Sequence, residues 1–171
     1  MNDNVLFRPM LPGDVDRIYA QFTAQGWHRT RDDFEQYLHE QESGERIVIV
    51  AETGGEVAGY ITLYPEAKDA PPFLSSRFPE IKDFNVFQKF RQHGIGTGLM
   101  DKAEAAAAAV ADTVCLGVGL HSGYGSAQRM YVKRGYVPDG SGVWDGAEVA
   151  KAYGMVENGD ALVLYFSKKL R

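Results

Sequence analysis

The chain has 171 residues, 44% hydrophobic and 24% charged, with 18 Lys+Arg against 23 Asp+Glu for a formal net charge of −5. That is enough for one self-sufficient core, too ordinary a mixture for a disordered or fibrous chain, and too acidic a balance to hold nucleic acid in a global basic field. The lone Cys115 makes no internal disulfide, "MNDNVLFRPM" lacks the signal-peptide pattern, and no apolar run approaches the roughly 18 residues needed to span a bilayer. A cytoplasmic protein without membrane or nucleic-acid partners is expected.

Val5 to Arg8 predicts the first strand, and Asp14 is placed to cap a helix carrying Val15, Ile18, Tyr19 and Phe22 on one face. Thr30 with Asp33 three residues on forms a capping-box pattern ahead of a second helix, whose stripe is Phe34, Tyr37 and Leu38. "ERIVIVAETGGEVAGYITLYP" reads as a hairpin turning at Thr53-Gly54-Gly55, and the proline-bearing "EAKDAPPFLSSRFP" as a loop. "EIKDFNVF" is the fourth strand. Ile95, Leu99, Ala103, Ala106 and Val110 then recur at helical spacing.

"TVCLGVGL" is a fifth strand, Ser126 to Arg134 a short helix stopped by Gly135, and "ALVLYFSKK" the last strand, after a tail holding "GVWDG" and a loop through "AKAYGMVENGD". Alternating strands and helices define an α/β domain over residues 1–171, a mixed sheet of six or seven strands with helices on both faces.

Between the fourth strand and the alanine-rich helix lies "FRQHGIGTGLM", Phe90 to Met100, with glycines at 94, 96 and 98. A strand ending in a glycine-rich turn that opens a helix aims backbone N–H groups and the positive dipole end at one spot, an anion site. Arg91 and Lys89 add charge. No Lys-Ser/Thr follows Gly98, which excludes a Walker A loop. Its mid-chain position argues against a dinucleotide fingerprint, and Asp112 is a poor ribose ligand.

"DFNVFQKFRQHGIGTGLMDKAE" resembles the acetyl-CoA-binding segment of the GNAT superfamily of N-acetyltransferases, with Arg91, Gly94 and Gly96 at the fixed positions of its Arg/Gln-x-x-Gly-x-Gly/Ala signature. "SAQRMYVKRGYV" is similar to a second family segment through Ala127, Tyr131, Gly135 and Tyr136. The resemblance extends over nearly the whole chain, most weakly over the final thirty residues. It implies a mostly antiparallel sheet splayed between strands four and five, with acetyl-CoA lodged there. Phe84, Asn85 and Val86 would pair with the pantetheine amides, and Gln92, His93, Gly94, Ile95, Gly96 and Thr97 would wrap the pyrophosphate beside Arg91.

The reaction the resemblance implies is direct transfer of the acetyl group to a primary amine of a small acceptor. An alkyl amine of pKa about 10.4 is mostly protonated near neutral pH, so a base or an ordered water must take its proton. Glu80 matches the family's general-base glutamate, with Asp83 the alternative acid on the opposite face of a regular strand. Tyr131 matches the general-acid tyrosine. Where many members place a cofactor-binding asparagine this chain has Tyr124, and Ser126 could replace that contact.

Trp27, Trp144 and Tyr153 fall in segments that approach the acceptor in the family, and Asp83 is also a candidate there; Asp145 and Glu148 could recognise a cation, though solvated loop charge is the simpler reading. His121 is a structural or basic residue at a strand end, Met130 a core residue, and Cys115 a small buried apolar one. His28, His39 and His93 have no metal-ligand spacing. Homodimers are common in the family, and the last strand could contribute an interface. The competing function is a non-catalytic module that binds or senses an acyl-CoA.

Overall fold

Residues 4–66 and 78–171 are described by a computed structural model. Thr30 caps as its spacing predicts: its hydroxyl accepts from the Asp33 N–H, and the Asp33 carboxylate accepts from the Thr30 N–H at 2.8 Å. Such a cap is worth about 1 kcal/mol. Gly54 and Gly55, at φ 56° and 80°, supply the two left-handed residues a tight hairpin turn needs.

The elements in chain order are β1 (Leu6–Pro9), α1 (Asp14–Ala24), α2 (Arg31–Glu42), β2 (Ile47–Thr53), β3 (Glu56–Tyr64), β4 (Glu80–Val86), α3 (Ile95–Ala108), β5 (Thr113–Gly119), α4 (Gly125–Lys133), β6 (Val137–Asp145), β7 (Glu148–Val149) and β8 (Leu162–Lys169). They form one mixed α/β sheet in the order β1-β2-β3-β4-β5-β8-β6-β7. Its parallel step, β4 to β5, is held at only two residue pairs, Glu80 with Cys115 and Ile81 with Leu116, so the sheet splits there. The proline-bearing loop predicted over 66–79 lies, for residues 67–77, outside the described residues.

Contacts within the chain fall into two compact units, Met1–Pro65 with Lys82–Ala106, and Glu66–Ile81 with Ala107–Arg171. In the first, Val15, Ile18 and Phe22 of α1 and Phe34 and Tyr37 of α2 bury against Val48, Val50, Val57, Tyr60 and Phe87. Each such side chain contributes about 1.5–3 kcal/mol of burial. Helix α3 covers the other face, where a Cβ on Gly98 would lie 2.2 Å from the Phe7 ring. Gly98 is therefore a packing glycine.

Asp14 does not cap α1. Gly13 is the N-cap, with no side-chain bond, and Asp14 is the first helical residue. Its 1%-exposed carboxylate instead accepts from Arg8 at 2.5 and 2.9 Å, Arg17 at 2.9 Å and the Leu11 N–H at 2.9 Å. Burial pushes this carboxyl up, but those donors outweigh it and hold the group below the usual aspartate range.

In the second unit β8 is paired on both sides, with β5 and with β6, so its backbone edges are spent and any subunit interface must use other atoms. Two further strands sit where only "GVWDG" and a loop were expected. β6 pairs with β8 at Val137 and Pro138 and again from Val143 to Asp145, with an irregularity between. β7 turns back on it through Gly146. Eight strands result in place of six or seven; Pro138, Gly140 and Gly142, residue types that weaken a strand pattern, occupy the irregular stretch of β6.

Candidate functional site

The glycine-rich turn is built as its composition requires. After a short helical turn at Gln88–Phe90, Gln92 (φ 65°) and Gly94 (φ 78°) take left-handed conformations that swing the chain into α3. The first bond of the α3 ladder runs from the Gly98 N–H to the Gly94 carbonyl at 3.0 Å. The N–H groups of Ile95, Gly96 and Thr97 thus precede the ladder at the positive end of a fourteen-residue helix.

Arg91, Gln92, His93 and Gly94 are exposed, leaving the turn open to a ligand. A Cβ at Gly96 would sit 3.3 Å from the Phe84 ring and 3.6 Å from Val86. The missing side chain keeps this end of β4 clear. Arg91 is set in place from two directions: its Nε donates to the Val86 carbonyl at 3.0 Å, and its guanidinium lies 5.6 Å from the Trp27 ring centroid. These are the attributes of a diphosphate cradle, so the residues present fit the coenzyme that their pattern implied.

β4 carries a second constellation. Asp83 has φ 53° within the strand, a conformation rare for any residue but glycine and most tolerated by Asn and Asp. Its Oδ2 accepts from Tyr37 OH at 2.6 Å and Tyr60 OH at 2.8 Å and is bridged by the Arg29 guanidinium at 3.2 Å. Its Oδ1 accepts from Asn85 Nδ2 at 2.8 Å. Asn85 also donates to Tyr60, and Arg29 to Tyr37, each at 3.1 Å.

Burial, then the Asp83 charge, pushes both phenols well above the ordinary tyrosine range, so they stay protonated donors. Burial works against the Arg29 charge, but the Asp83 charge prevails and raises its pKa. Sequence reading found Asp83 and Asn85 but not Arg29, Tyr37 or Tyr60. The tyrosines lie 46 and 23 residues from Asp83, and no local spacing announces such contacts.

The second unit holds the two residues expected to move protons. Glu80 opens β4 buried at 3% exposure, in register with Cys115 of β5. Burial, followed by the charges of Glu80 and Asp139, pushes the Cys115 thiol up, which makes it an inert apolar filler. Tyr131 on α4 is 6% exposed, with its ring 5.8 Å from that of Tyr136. Burial, with a smaller contribution from Tyr124, raises its phenol above the usual value.

Ser126 is exposed in the first turn of α4, and Met130 is half-buried rather than core. His121 is engaged at both ring nitrogens: its Nδ1 accepts from the Gly123 N–H at 3.0 Å, its Nε2 lies 3.2 Å from Asp160, and its ring lies tilted with its centroid 4.6 Å from that of Tyr124. Tyr124, in the place of the expected asparagine, donates to Asp160 at 2.9 Å.

The acceptor candidates separate by exposure. Trp27, half-buried, meets Phe22 edge-on at 5.3 Å and lines a cavity of about 540 Å³ with Tyr19, Thr23, His28 and Arg29 at the α1–α2 link. Trp144 is 5% exposed, donates from Nε1 to Ser141 Oγ at 2.8 Å and packs against Tyr165, a core position. Tyr153 is fully exposed, and Asp145 and Glu148 face each other as exposed residues across β6 and β7.

Residues 14–136 match the family model described as "Acetyltransferase (GNAT) family". No curated protein matches the chain. Among solved structures, a Desulfovibrio desulfuricans protein assigned to the GNAT acetyltransferases superposes with a TM-score of 0.72 at 15% identity, covering 98% of this chain and 99% of its own. A ribosomal-protein-alanine N-acetyltransferase from Brucella melitensis does so at 0.69 and 19%, covering 96% and 99%. An aminoglycoside 6'-N-acetyltransferase complexed with coenzyme A does so at 0.66 and 18%, covering 97% of each. At these identities the likeness is one of fold.

Proposed function

The chain belongs to the GNAT acetyltransferase family, and from that premise we propose that residues 1–171 act as one acetyl-CoA-dependent N-acetyltransferase domain, cytoplasmic, acting on a primary amine of a small molecule. The observation that carries this reading is the turn from Arg91 to Thr97: two left-handed residues, three N–H groups at the start of α3, and a glycine where a side chain would crowd Phe84. Acetyl-CoA supplies an activated thioester carbonyl. The chain's own groups do the rest.

The N–H groups of Ile95, Gly96 and Thr97, with Arg91, Gln92 and His93, hold the pyrophosphate, and the backbone of Phe84, Asn85 and Val86 pairs with the pantetheine amides. Ser126 at the start of α4 adds a polar contact. Glu80, or a water it orders, takes the proton from the incoming ammonium so that nitrogen can attack. Tyr131, kept protonated by burial, gives its proton to the sulfur as the carbon–sulfur bond breaks. Metal is not required by these steps.

Trp27 and Arg29 are the residues to test for acceptor contact, since they line the cavity at the α1–α2 link; Trp144 is buried in β6 and acts through packing. The aminoglycoside and ribosomal-protein substrates named for two structural neighbours bracket the range of amines worth screening. Among the described residues no helix is long and apolar enough to cross a membrane. We take neither nucleic acid nor membrane as a partner, and a homodimer as the assembly to test by light scattering.

Calorimetric titration with acetyl-CoA tests the cradle. Saturable binding to the unmodified chain, weakened in Gly96→Val, supports it; equal affinity in the two proteins removes it.

A further inference from the structure

β4 changes its behaviour in mid-strand. Its parallel pairing with β5 covers Glu80 and Ile81, and Asp83, two residues on, is left-handed. On the β3 side the strand stays attached across this point. The Thr62 hydroxyl donates to the Lys82 carbonyl, a Cβ on Gly59 would lie 2.5 Å from the Asn85 carbonyl oxygen, and the Phe87 N–H donates to the Ala58 carbonyl at 3.0 Å. Between these contacts to β3 the left-handed Asp83 interrupts the regular alternation of the strand.

A left-handed non-glycine residue is strained and persists only where its surroundings over-determine it. Here they do. Four side chains from three elements and the α1–α2 link converge on one carboxylate: Tyr37 of α2, Tyr60 of β3, Asn85 of β4 and Arg29. With both oxygens engaged and a guanidinium alongside, this carboxylate is arranged to accept hydrogen bonds in a fixed place.

We propose that Asp83 is a positioning residue for the cofactor strand: held by Tyr37, Tyr60, Asn85 and Arg29, it fixes the left-handed step that sets the backbone of Phe84 to Val86 toward acetyl-CoA. The role rests on the acetyltransferase reading and assigns Asp83 neither to proton abstraction nor to acceptor binding. It also explains why an aspartate stands here. Of the residues that tolerate φ near +50°, it brings the strongest acceptor for two phenols and a guanidinium.

The test separates affinity from turnover in the full chain. Asp83→Ala removes the anchor while keeping the backbone strain, and acetyl-CoA Kd and KM should rise about tenfold or more, with kcat at saturating cofactor within about threefold. Asp83→Asn keeps an acceptor for the tyrosines and should recover most of the affinity. Tyr37→Phe, which removes one donor without altering β4, should weaken binding about threefold and decides the matter should Asp83→Ala fail to fold.

A fall in kcat with Kd unchanged, together with loss of an acidic ionisation from the pH–rate profile, would overturn the proposal and make Asp83 the base. Unchanged affinity in Asp83→Ala or Tyr37→Phe overturns it as well. If the unmodified chain fails to bind acetyl-CoA, the acetyltransferase reading itself falls and the positioning role with it.

Discussion

On the proposed function, the turn from Arg91 to Thr97 and the pair Glu80 and Tyr131 are two ways of building a functional centre. The turn works with backbone. It needs unoccupied space and left-handed torsions, so Arg91 to Gly94 are exposed and its glycines are conspicuous. Glu80 and Tyr131 are side chains at 3% and 6% exposure, whose chemistry depends on what the fold packs around them. A backbone site tolerates changes of side chain but not of shape, whereas a buried side-chain site fails when one polar atom is removed.

The sharpest way to break that comparison is Tyr131→Phe. Losing a general acid should lower kcat by about 10²- to 10⁴-fold, measured by thiol release, while calorimetry finds the acetyl-CoA Kd within about twofold of the original. Next in size is Gly96→Val, where overpacking against Phe84 and Val86 should weaken cofactor binding by about ten- to a hundredfold. Here kcat at saturation should survive. If each variant changed the other's parameter, the division between cradle and chemistry would be wrong.

The pH dependence refines the same contrast. Burial raises the Tyr131 phenol, so kcat should show no alkaline loss from this group up to about pH 10, where a free phenol ionises. The linked stability runs the same way: the contribution of the neutral buried phenol is fully present below about pH 10 and is lost as pH rises through the raised folded value. A thermal melt at rising pH, compared with Tyr131→Phe, reads it. The smallest effect belongs to Cys115. Its thiol is buried and raised, so Cys115→Ala should alter turnover less than about twofold, and the native protein should resist alkylation.

The same division explains what could be read in advance. The glycine turn that opens α3 was legible because left-handed torsions and helix ends leave glycines at fixed spacing; the hairpin at Gly54-Gly55 and the Thr30 capping box were legible for the same local reason. Asp14 misled because a capping residue type at a helix start was claimed by Arg8, Arg17 and the Leu11 N–H instead. β6 was hidden by Pro138, Gly140 and Gly142, which fill an irregularity within a paired strand. The Asp83 cluster was invisible as a unit, since Tyr37 reads as part of a helical stripe and Tyr60 as part of a strand. Only the fold brings them to one carboxylate.

The central claim is transfer, and amine-dependent release of free coenzyme A thiol tests it most directly, with mass spectrometry of the acceptor alongside. The account predicts that at least one small-molecule primary amine, among polyamines, amino-acid derivatives and aminoglycosides, releases thiol in step with appearance of an acetylated product. Saturable acetyl-CoA binding with no thiol release by any amine in such a panel would contradict it and leave an acyl-CoA sensor in its place.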